Sequence, residues 1–187
     1  WTEVNDLNTA RRSFGSAGTA TSAIAAANHP PAGALTELWN GTNWTEVNDM
    51  NTGRSQLAAA GADNTAVLAM GGSTALANTE VWDGSSWTEV NNMNTAREQI
   101  SEAGISTSAI GFGGDENPPP VNSAKTEEWN GTNWTETSDL NTGRYYAGGN
   151  GTASSALMSG GKNPGVTAVT EEWTGAGAGL TRTFTDS

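Results

Sequence analysis

An internal repeat covers nearly the whole chain and constrains the fold more than any other feature of the sequence. One block of the form W-T-E-x-x-x-x-N-T-x-R occurs four times, at 1–11, 44–54, 87–97 and 134–144. The arginines that end these copies are 43, 43 and 47 residues apart. Because such a period corresponds to one supersecondary unit of a repeat architecture, we expect a single repeat domain.

Two further segments recur within each period. A T-E-x-W block lies at 36–39, 79–82, 126–129 and 170–173, and an apolar segment lies at 23–28, 66–72, 109–114 and 156–161. We therefore divide the chain into repeat units at 1–43, 44–86, 87–133 and 134–177, followed by a C-terminal strand or tail at 178–187.

Each unit is predicted to contain four short β-strands and no helix. The apolar segment is short and continuous, as expected of a strand that is covered on both faces. The T-E-x-W and W-T-E-V segments alternate and flank Asn-Gly or Asp-Gly, which predicts a hairpin. The sequence leaves open whether the turn has two residues or is a four-residue loop that pairs Trp39 with Trp44.

The composition excludes several classes of partner and chemistry. With 8 basic and 20 acidic side chains the net charge is −12, which opposes binding to nucleic acid or to an anionic membrane. No apolar run in this segment approaches the roughly 20 residues of a membrane-spanning helix. Since the chain has no cysteine and one histidine, and no phosphate loop, zinc spacing or Ser-His-Asp set, we expect a non-enzyme without cofactor or metal.

Recurrent arginine, tryptophan and glutamate residues are predicted to be structural staples. A guanidinium can lie on a tryptophan ring while it binds a carboxylate. The alternative is a Trp-Glu-Arg sugar site in each unit. The predicted staples are Arg11, Arg54, Arg97, Arg144, Trp39, Trp44, Trp82, Trp87, Trp129, Trp134, Glu46 and Glu89.

One loop per unit holds most of the variation in length. These loops span 29–35, 73–78, 115–125 and 162–169, and variable loops on a fixed frame are typical of recognition surfaces. The alternative is that such loops drift without a function. The candidate recognition residues are His29, Ser73, Asp115, Glu116, Asn117 and Lys162.

Five N-x-T sequons are candidate glycan attachment sites if the protein is secreted. They lie at Asn40, Asn43, Asn130, Asn133 and Asn150. Four of the five arise because the turn reads N-G-T-N-W-T, so turn chemistry alone also explains them.

The order of these segments resembles the kelch repeat. That family has a glycine pair after its second strand, an aromatic residue in its third, a tryptophan that opens its fourth, and a downstream arginine. Two units match these positions in order, with Gly71, Gly72, Trp82, Trp87 and Arg97, and with Gly113, Gly114, Trp129, Trp134 and Arg144. The first unit departs from the pattern with Ala27 and Asn28, and the last unit lacks the second tryptophan.

The resemblance implies an all-β propeller of four kelch-like, four-stranded blades. Trp1–Val4 would then complete the last blade, unless 180–187 supplies that strand. The alternatives are an open β-solenoid, or a ring or fibre that neighbouring subunits complete. Because the first residue is Trp1 and not Met, we expect a processed product or part of a longer chain.

The amino-acid sequence of the repeat is most similar to that of kelch-like repeats in bacteriophage virion proteins, especially those of marine phages. This implies a non-catalytic structural and adhesive module of a tail fibre or virion surface, with other virion subunits and a host glycan or surface protein as partners. The rival expectation is a subunit of an extracellular, glycosylated filament joined by strand addition. A glycosidase would need two facing carboxylates, and the sequence singles out no such pair.

Overall fold

The structure, a computed structural model, describes residues 1–29, 33–116 and 121–175. Over these residues it is all-β with no helix, which confirms the all-β part of the prediction. The strands are β1 (Gly15–Thr19), β2 (Ser22–Asn28), β3 (Gly33–Trp39), β4 (Trp44–Val47), β5 (Ala58–Gly61), β6 (Val67–Met70), β7 (Thr79–Trp82), β8 (Trp87–Glu89), β9 (Ser101–Ile105), β10 (Ser108–Phe112), β11 (Asp115–Glu116), β12 (Val121–Asn122), β13 (Thr126–Trp129), β14 (Trp134–Glu136), β15 (Gly148–Thr152), β16 (Ser155–Ser159) and β17 (Thr170–Trp173).

The strands form four antiparallel sheets in which neighbouring strands also follow one another along the chain. Sheet 1 is β1-β2-β3-β4, sheet 2 is β5-β6-β7-β8, sheet 3 is β9-β10-β13-β14, and sheet 4 is β15-β16-β17. The short hairpin β11-β12 lies within the longest loop of sheet 3. Sheets 1 to 3 each take their outer strand from the W-T-E block that opens the next repeat unit.

The hairpin between the third and fourth strands has a four-residue loop. Trp39 lies directly opposite Trp44, so residues 40–43 form the turn. Asn40 Oδ1 accepts the backbone N–H groups of Thr42 and Asn43, both at 2.9 Å, and Gly41 has φ +92°. In sheet 2 an aspartate takes this place, and hydrogen bonds from Ser86 and Ser85 hold the pKa of Asp83 at about 2.

The four sheets pack face to face in series. The first strand of each sheet is its innermost strand. These strands, β1, β5, β9 and β15, contact one another in that order. Small residues allow this close approach, since a Cβ at Gly149 would lie 2.4 Å from the carbonyl oxygen of Glu102. Larger apolar side chains fill the space between the faces, with Val67 and Trp82 between sheets 1 and 2, and Leu68 and Met70 between sheets 2 and 3.

The array is open over the residues that the structure describes. No extensive contact joins β15 to β1, so the sheets are not seen to close into a ring. The described residues also contain no helix that is long and apolar enough to cross a membrane.

Trp1–Val4 does not complete sheet 4, contrary to the expectation. These residues form no strand, and the side chain of Val4 is 63% exposed. The physical reason is that sheet 4, the last of the series, has no extensive contact with sheet 1 over the described residues. Asn5 Nδ2 donates to Thr42 O at 2.9 Å and to Asn43 Oδ1 at 2.7 Å, both in the loop of sheet 1. These bonds fix the segment beside sheet 1. The alternative strand at 180–187 lies outside the described residues.

Candidate functional site

A buried arginine–glutamate pair holds each N-T-x-R segment on the sheet that follows it. The Arg54 guanidinium lies 3.3 Å from the Glu80 carboxylate, and the corresponding distance from Arg97 to Glu127 is 2.8 Å. All four side chains of these two pairs are fully buried. Arg11 with Glu37 and Arg144 with Glu171 form the equivalent pairs in sheets 1 and 4.

The backbone ahead of the arginine completes each pair. Glu80 accepts hydrogen bonds from the backbone N–H groups of Asn51 at 2.7 Å and Thr52 at 3.3 Å, and from Asn51 Nδ2 at 3.0 Å. A buried carboxylate is tolerated only with such partners, which explains the Asn-Thr of the repeated block.

Burial and pairing act in opposite directions on these groups. Burial lowers the pKa of the Arg97 guanidinium, and the adjacent Glu127 carboxylate opposes that shift. Burial also favours the neutral form of Glu171, but hydrogen bonds from Arg144 and Asn141 outweigh it and lower the pKa of this carboxyl.

The arginine partners are the glutamates of the third strand. Glu46 and Glu89, predicted to belong to the staples, are exposed on the outer strands. Glu89 accepts hydrogen bonds from Thr52 Oγ1 at 3.2 Å and Asn78 Nδ2 at 3.4 Å but makes no ion pair with an arginine that the structure describes. Nor does a recurrent arginine lie on a tryptophan ring: the one cation–π contact in the described ranges joins Lys162 to Tyr145. The reason is that each arginine reaches the start of the third strand, whereas the tryptophans lie at its end.

The predicted tryptophans stack in cross-strand pairs. Ring centroids are 5.5 Å apart for Trp39 and Trp44, 5.6 Å for Trp82 and Trp87, and 5.4 Å for Trp129 and Trp134. Both rings are buried in sheets 2 and 3. They therefore stabilise the sheets and do not present the sugar platforms that the alternative interpretation requires.

The candidate recognition residues lie at one end of the sheets, which we name the loop face. In each sheet the first residue after the apolar segment bonds or bridges to the residue after the recurrent arginine. These contacts are His29 with Arg12, Ser73 with Ser55, Asp115 with Glu98, and Lys162 with Tyr145. Glu116 follows in β11, where Oε1 accepts from Ser123 Oγ at 2.7 Å. Asn117 lies outside the described residues.

A second set of residues on the loop face was missed by the sequence analysis. Ser13, Gln56, Gln99 and Tyr146 each lie two positions after a recurrent arginine and have φ between 55° and 56°. This left-handed conformation is unusual for residues other than glycine and persists only where the surroundings enforce it. The backbone N–H of Gln56 donates to Ser13 O at 2.7 Å, and that of Gln99 to Gln56 O at 2.9 Å. We name these four residues the left-handed column.

The chemistry of the loop face is polar and of mixed charge. Burial, with Asp115 nearby, raises the pKa of Glu98, although a bond from the Thr74 backbone N–H opposes the shift. Tyr146 is 64% exposed and packs against Tyr145 with ring centroids 5.2 Å apart. In the described part of the chain no three histidine, aspartate or glutamate residues are grouped so that they could hold a metal ion.

The sequon asparagines in the turns lie at the opposite end of the sheets from the loop face. Asn40 and Asn130 cap their own loops through Oδ1. Asn43 and Asn133 accept from Asn5 and Asn91, respectively, at 2.7 and 2.8 Å. The fifth sequon asparagine, Asn150, is exposed on β15.

A shallow groove lies on the outer rim between sheets 2 and 3. Glu89, Val90 and Asn91 form one side, and Trp129, Gly131 and Thr132 form the other. The groove is open to solvent, and Glu89 is its single acidic group. No family model matches the chain, and no curated protein matches its sequence significantly.

Proposed function

We propose that the chain is a non-catalytic binding module that recognises a glycan on a host cell surface through its loop face. The observation that carries the proposal is the convergence of four loops of different length on one end of a repeated frame. Variable loops on a constant scaffold are the usual way in which a fold comes to bind a ligand without a change in its core.

The exposed groups of the loop face favour a glycan over a protein as the ligand. The left-handed column holds a hydroxyl, two amides and an aromatic ring at one position in successive sheets. Ser13 and Tyr146 are exposed, whereas Gln56 and Gln99 are half-buried and Gln99 Nε2 donates to Gln56 Oε1. Arg12 and Lys162 add cations at the two ends. Such a row offers hydrogen bonds along an extended polar ligand, and Tyr146 offers an apolar face with a polar tip.

We further propose that the sheets are blades of a kelch-like β-propeller. The support is the meander order within each sheet, together with innermost strands that lie side by side. The proposed setting, a tail fibre or virion surface of a phage, rests on the sequence resemblance alone.

The test measures binding to host cells and to a glycan array. Replacement of 115–125 by the shorter loop 73–78 of sheet 2 should weaken binding at least tenfold, as should Tyr146→Ala. Thr107→Ala, an exposed change at the opposite end of sheet 3, is the matched control and should bind like the parent. Unchanged binding by both loop-face variants would reject the loop face as the ligand site.

A further inference from the structure

A buried hydrogen bond links the outer-strand tryptophan of sheet 2, and that of sheet 3, to the sheet before it. Trp87 Nε1 in sheet 2 donates to Thr36 Oγ1 in sheet 1 at 3.0 Å. Trp134 Nε1 in sheet 3 donates to Thr79 Oγ1 in sheet 2 at 3.1 Å. We name this contact the Trp–Thr lock. It connects consecutive sheets at the same place in each repeat, and its threonine is always the first residue of T-E-x-W.

The third lock has its threonine but lacks its tryptophan. Thr126 is 2% exposed, and its Oγ1 has no hydrogen-bond partner. The missing donor would belong to the fourth strand of sheet 4. Sheet 4 has three strands in the described part of the chain, and Ala178 stands five residues after Trp173, where Trp134 follows Trp129 by the same spacing. A buried hydroxyl without a partner is costly, so the vacant position calls for an indole N–H.

Sheet 4 also exposes an apolar face that the other sheets cover. Leu157 is 41% exposed, whereas Leu68 and Ile110, at the same register in sheets 2 and 3, are fully buried by the sheet that follows. Trp173 donates from Nε1 to Ala153 O at 2.9 Å, as the inner tryptophans of the other sheets do to their own turns. The third strand is therefore in its normal place, and among the residues that the structure describes it has no outer neighbour.

A segment with the sequence of an outer strand, but without a sheet to pair with among the described residues, lies at the other end of the array. Residues 1–4 read W-T-E-V, identical to 44–47, which form β4. Asn5 binds the loop of sheet 1 as Asn91 binds the loop of sheet 3, where Nδ2 donates to Thr132 O at 3.0 Å and to Asn133 Oδ1 at 2.8 Å. Trp87 opens the outer strand β8 four residues before Asn91, and Trp1 lies four residues before Asn5, so Trp1–Val4 stands where the outer strand of a preceding sheet belongs.

We propose that Trp1–Val4 of one copy of this chain adds to β17 of a second copy and donates the Trp1 indole N–H to Thr126 Oγ1. The added strand gives sheet 4 its fourth strand, and Trp1 stacks on Trp173 as Trp134 stacks on Trp129. The contact continues an interface that the chain already forms three times between its own sheets.

The same placement completes a second lock across the interface. Sheet 1 of the donor copy would follow sheet 4 of the acceptor copy and cover Leu157. Trp44 in sheet 1 is half-buried, and among the described residues its Nε1 has no acceptor. The preceding sheet would supply that acceptor as Thr170, the first residue of its T-E-x-W block. The two surfaces are different, so the contact is head-to-tail and produces a ring or a filament.

The experiment compares assembly of the full chain and three variants by native mass spectrometry and size-exclusion chromatography with light scattering. The parent should form head-to-tail oligomers. Trp1→Ala removes the donor and should leave monomers. Thr126→Val keeps the shape of the acceptor without its hydroxyl and should weaken association about tenfold. Thr88→Val, on the exposed face of β8, is the matched control and should assemble like the parent.

A mixing test separates addition between copies from closure within one chain. Glu172→Pro removes an N–H from the open edge of β17, since Glu172 stands at the position of Glu128, which pairs with β14. This variant keeps the donor strand, whereas Trp1→Ala keeps the acceptor sheet. Each alone should be monomeric, and an equimolar mixture should give 1:1 dimers. A monomeric parent, unchanged assembly of Trp1→Ala, or a mixture that stays monomeric would overturn the proposal.

Discussion

At the residue scale, the stability of the array depends on a few buried polar contacts that recur. Each arginine–glutamate pair is enclosed and supported by backbone N–H groups, so neither partner can be removed without leaving a buried charge. The exposed loop-face residues, such as Arg12 and Tyr146, have no such role. Substitutions in the two sets should therefore differ sharply in cost.

Arg97→Ala should destabilise the fold by about 3–5 kcal/mol, because it leaves the Glu127 carboxylate buried without its cation. Chemical denaturation followed by tryptophan fluorescence measures the change. Arg12→Ala is the control, since Arg12 is exposed, and it should change the free energy of unfolding by less than about 0.5 kcal/mol. Equal effects of the two variants would contradict the assigned role of the buried pair.

Threonine-to-valine substitutions should separate an occupied lock from a vacant one. Thr79→Val leaves the Trp134 N–H buried without an acceptor and should cost about 1–3 kcal/mol. Thr126→Val removes a hydroxyl that has no partner and should leave the isolated chain equally or more stable. Thermal melts at a concentration where the parent is monomeric measure both. A loss of stability for Thr126→Val as large as that for Thr79→Val would mean that its hydroxyl is already bonded.

A half-buried acid on the innermost strand of sheet 3 should make stability depend on pH. Burial raises the pKa of Glu102 to about 7, and a bond from its own backbone N–H only partly opposes this. The folded chain therefore binds this proton more tightly than the unfolded chain, and stability falls as pH rises from about 4.5 to 7. Glu102→Gln should reduce that fall by on the order of 1–3 kcal/mol.

The comparison is made between denaturation curves recorded at pH 4.5 and at pH 7.5. Glu136→Gln is the matched control, because Glu136 is exposed at the outer edge of the same sheet. If Glu102→Gln and the parent lose the same stability over this interval, another group causes the pH dependence.

At the element scale, the four-residue loops fix the register of each outer hairpin. Asn130 Oδ1 accepts from Thr132 and Asn133, and this places Trp129 opposite Trp134. Gly131 has φ +93°, a conformation that side chains with a Cβ adopt only with strain. The Asn-Gly of the repeat is therefore a requirement of the turn, whether or not its asparagines carry glycans.

Gly131→Ala should cost about 1–2 kcal/mol, the strain of placing a Cβ residue in the left-handed region. Gly165→Ala is the control, because no atom lies within 4 Å of a Cβ built there. Its effect on the melting temperature should be within the error of the measurement. A similar loss of stability for both variants would show that the backbone strain at Gly131 does not determine the stability of the hairpin.

At the scale of the whole molecule, the sheets behave as a one-dimensional array with two unlike ends. Each internal sheet is covered on both faces, while sheet 4 leaves Leu157 exposed and Trp1–Val4 has no sheet. Stability in such arrays depends on nearest-neighbour interfaces, so a vacant end is a place where a further unit can add. The net charge of −12 opposes that addition, since both copies carry the same sign.

Association should therefore strengthen as salt screens the repulsion between copies. We expect the oligomeric fraction to rise as the sodium chloride concentration increases from about 0.05 to about 0.5 M, because the Debye length shortens over this range. Size-exclusion chromatography at fixed protein concentration measures this. A fall in the oligomeric fraction with salt would indicate an interface held by ion pairs, which the strand and its tryptophan do not provide.

The sequence alone was sufficient for features that depend on neighbours along the chain. Alternation and Asn-Gly spacing predicted the all-β class and the paired hairpin strands, since strand pleat and turn geometry are set within a few residues. The repeated arginines were recognised as a set for the same reason. Their partners were not, because Glu37 and Glu46 lie on neighbouring strands of one sheet and alternation cannot choose between them.

Only the tertiary structure decided what depends on the packing of one sheet against another. It placed four residues of different type in one column, namely Ser13, Gln56, Gln99 and Tyr146. Their shared backbone conformation is enforced by neighbouring sheets, so it requires no particular residue type and produces no recognisable sequence pattern. It also left Trp1–Val4 away from sheet 4. A strand carries its own hydrogen-bonding pattern in its sequence, but the sheet that it completes is determined by the angle between packed sheets, and no local pattern records that angle.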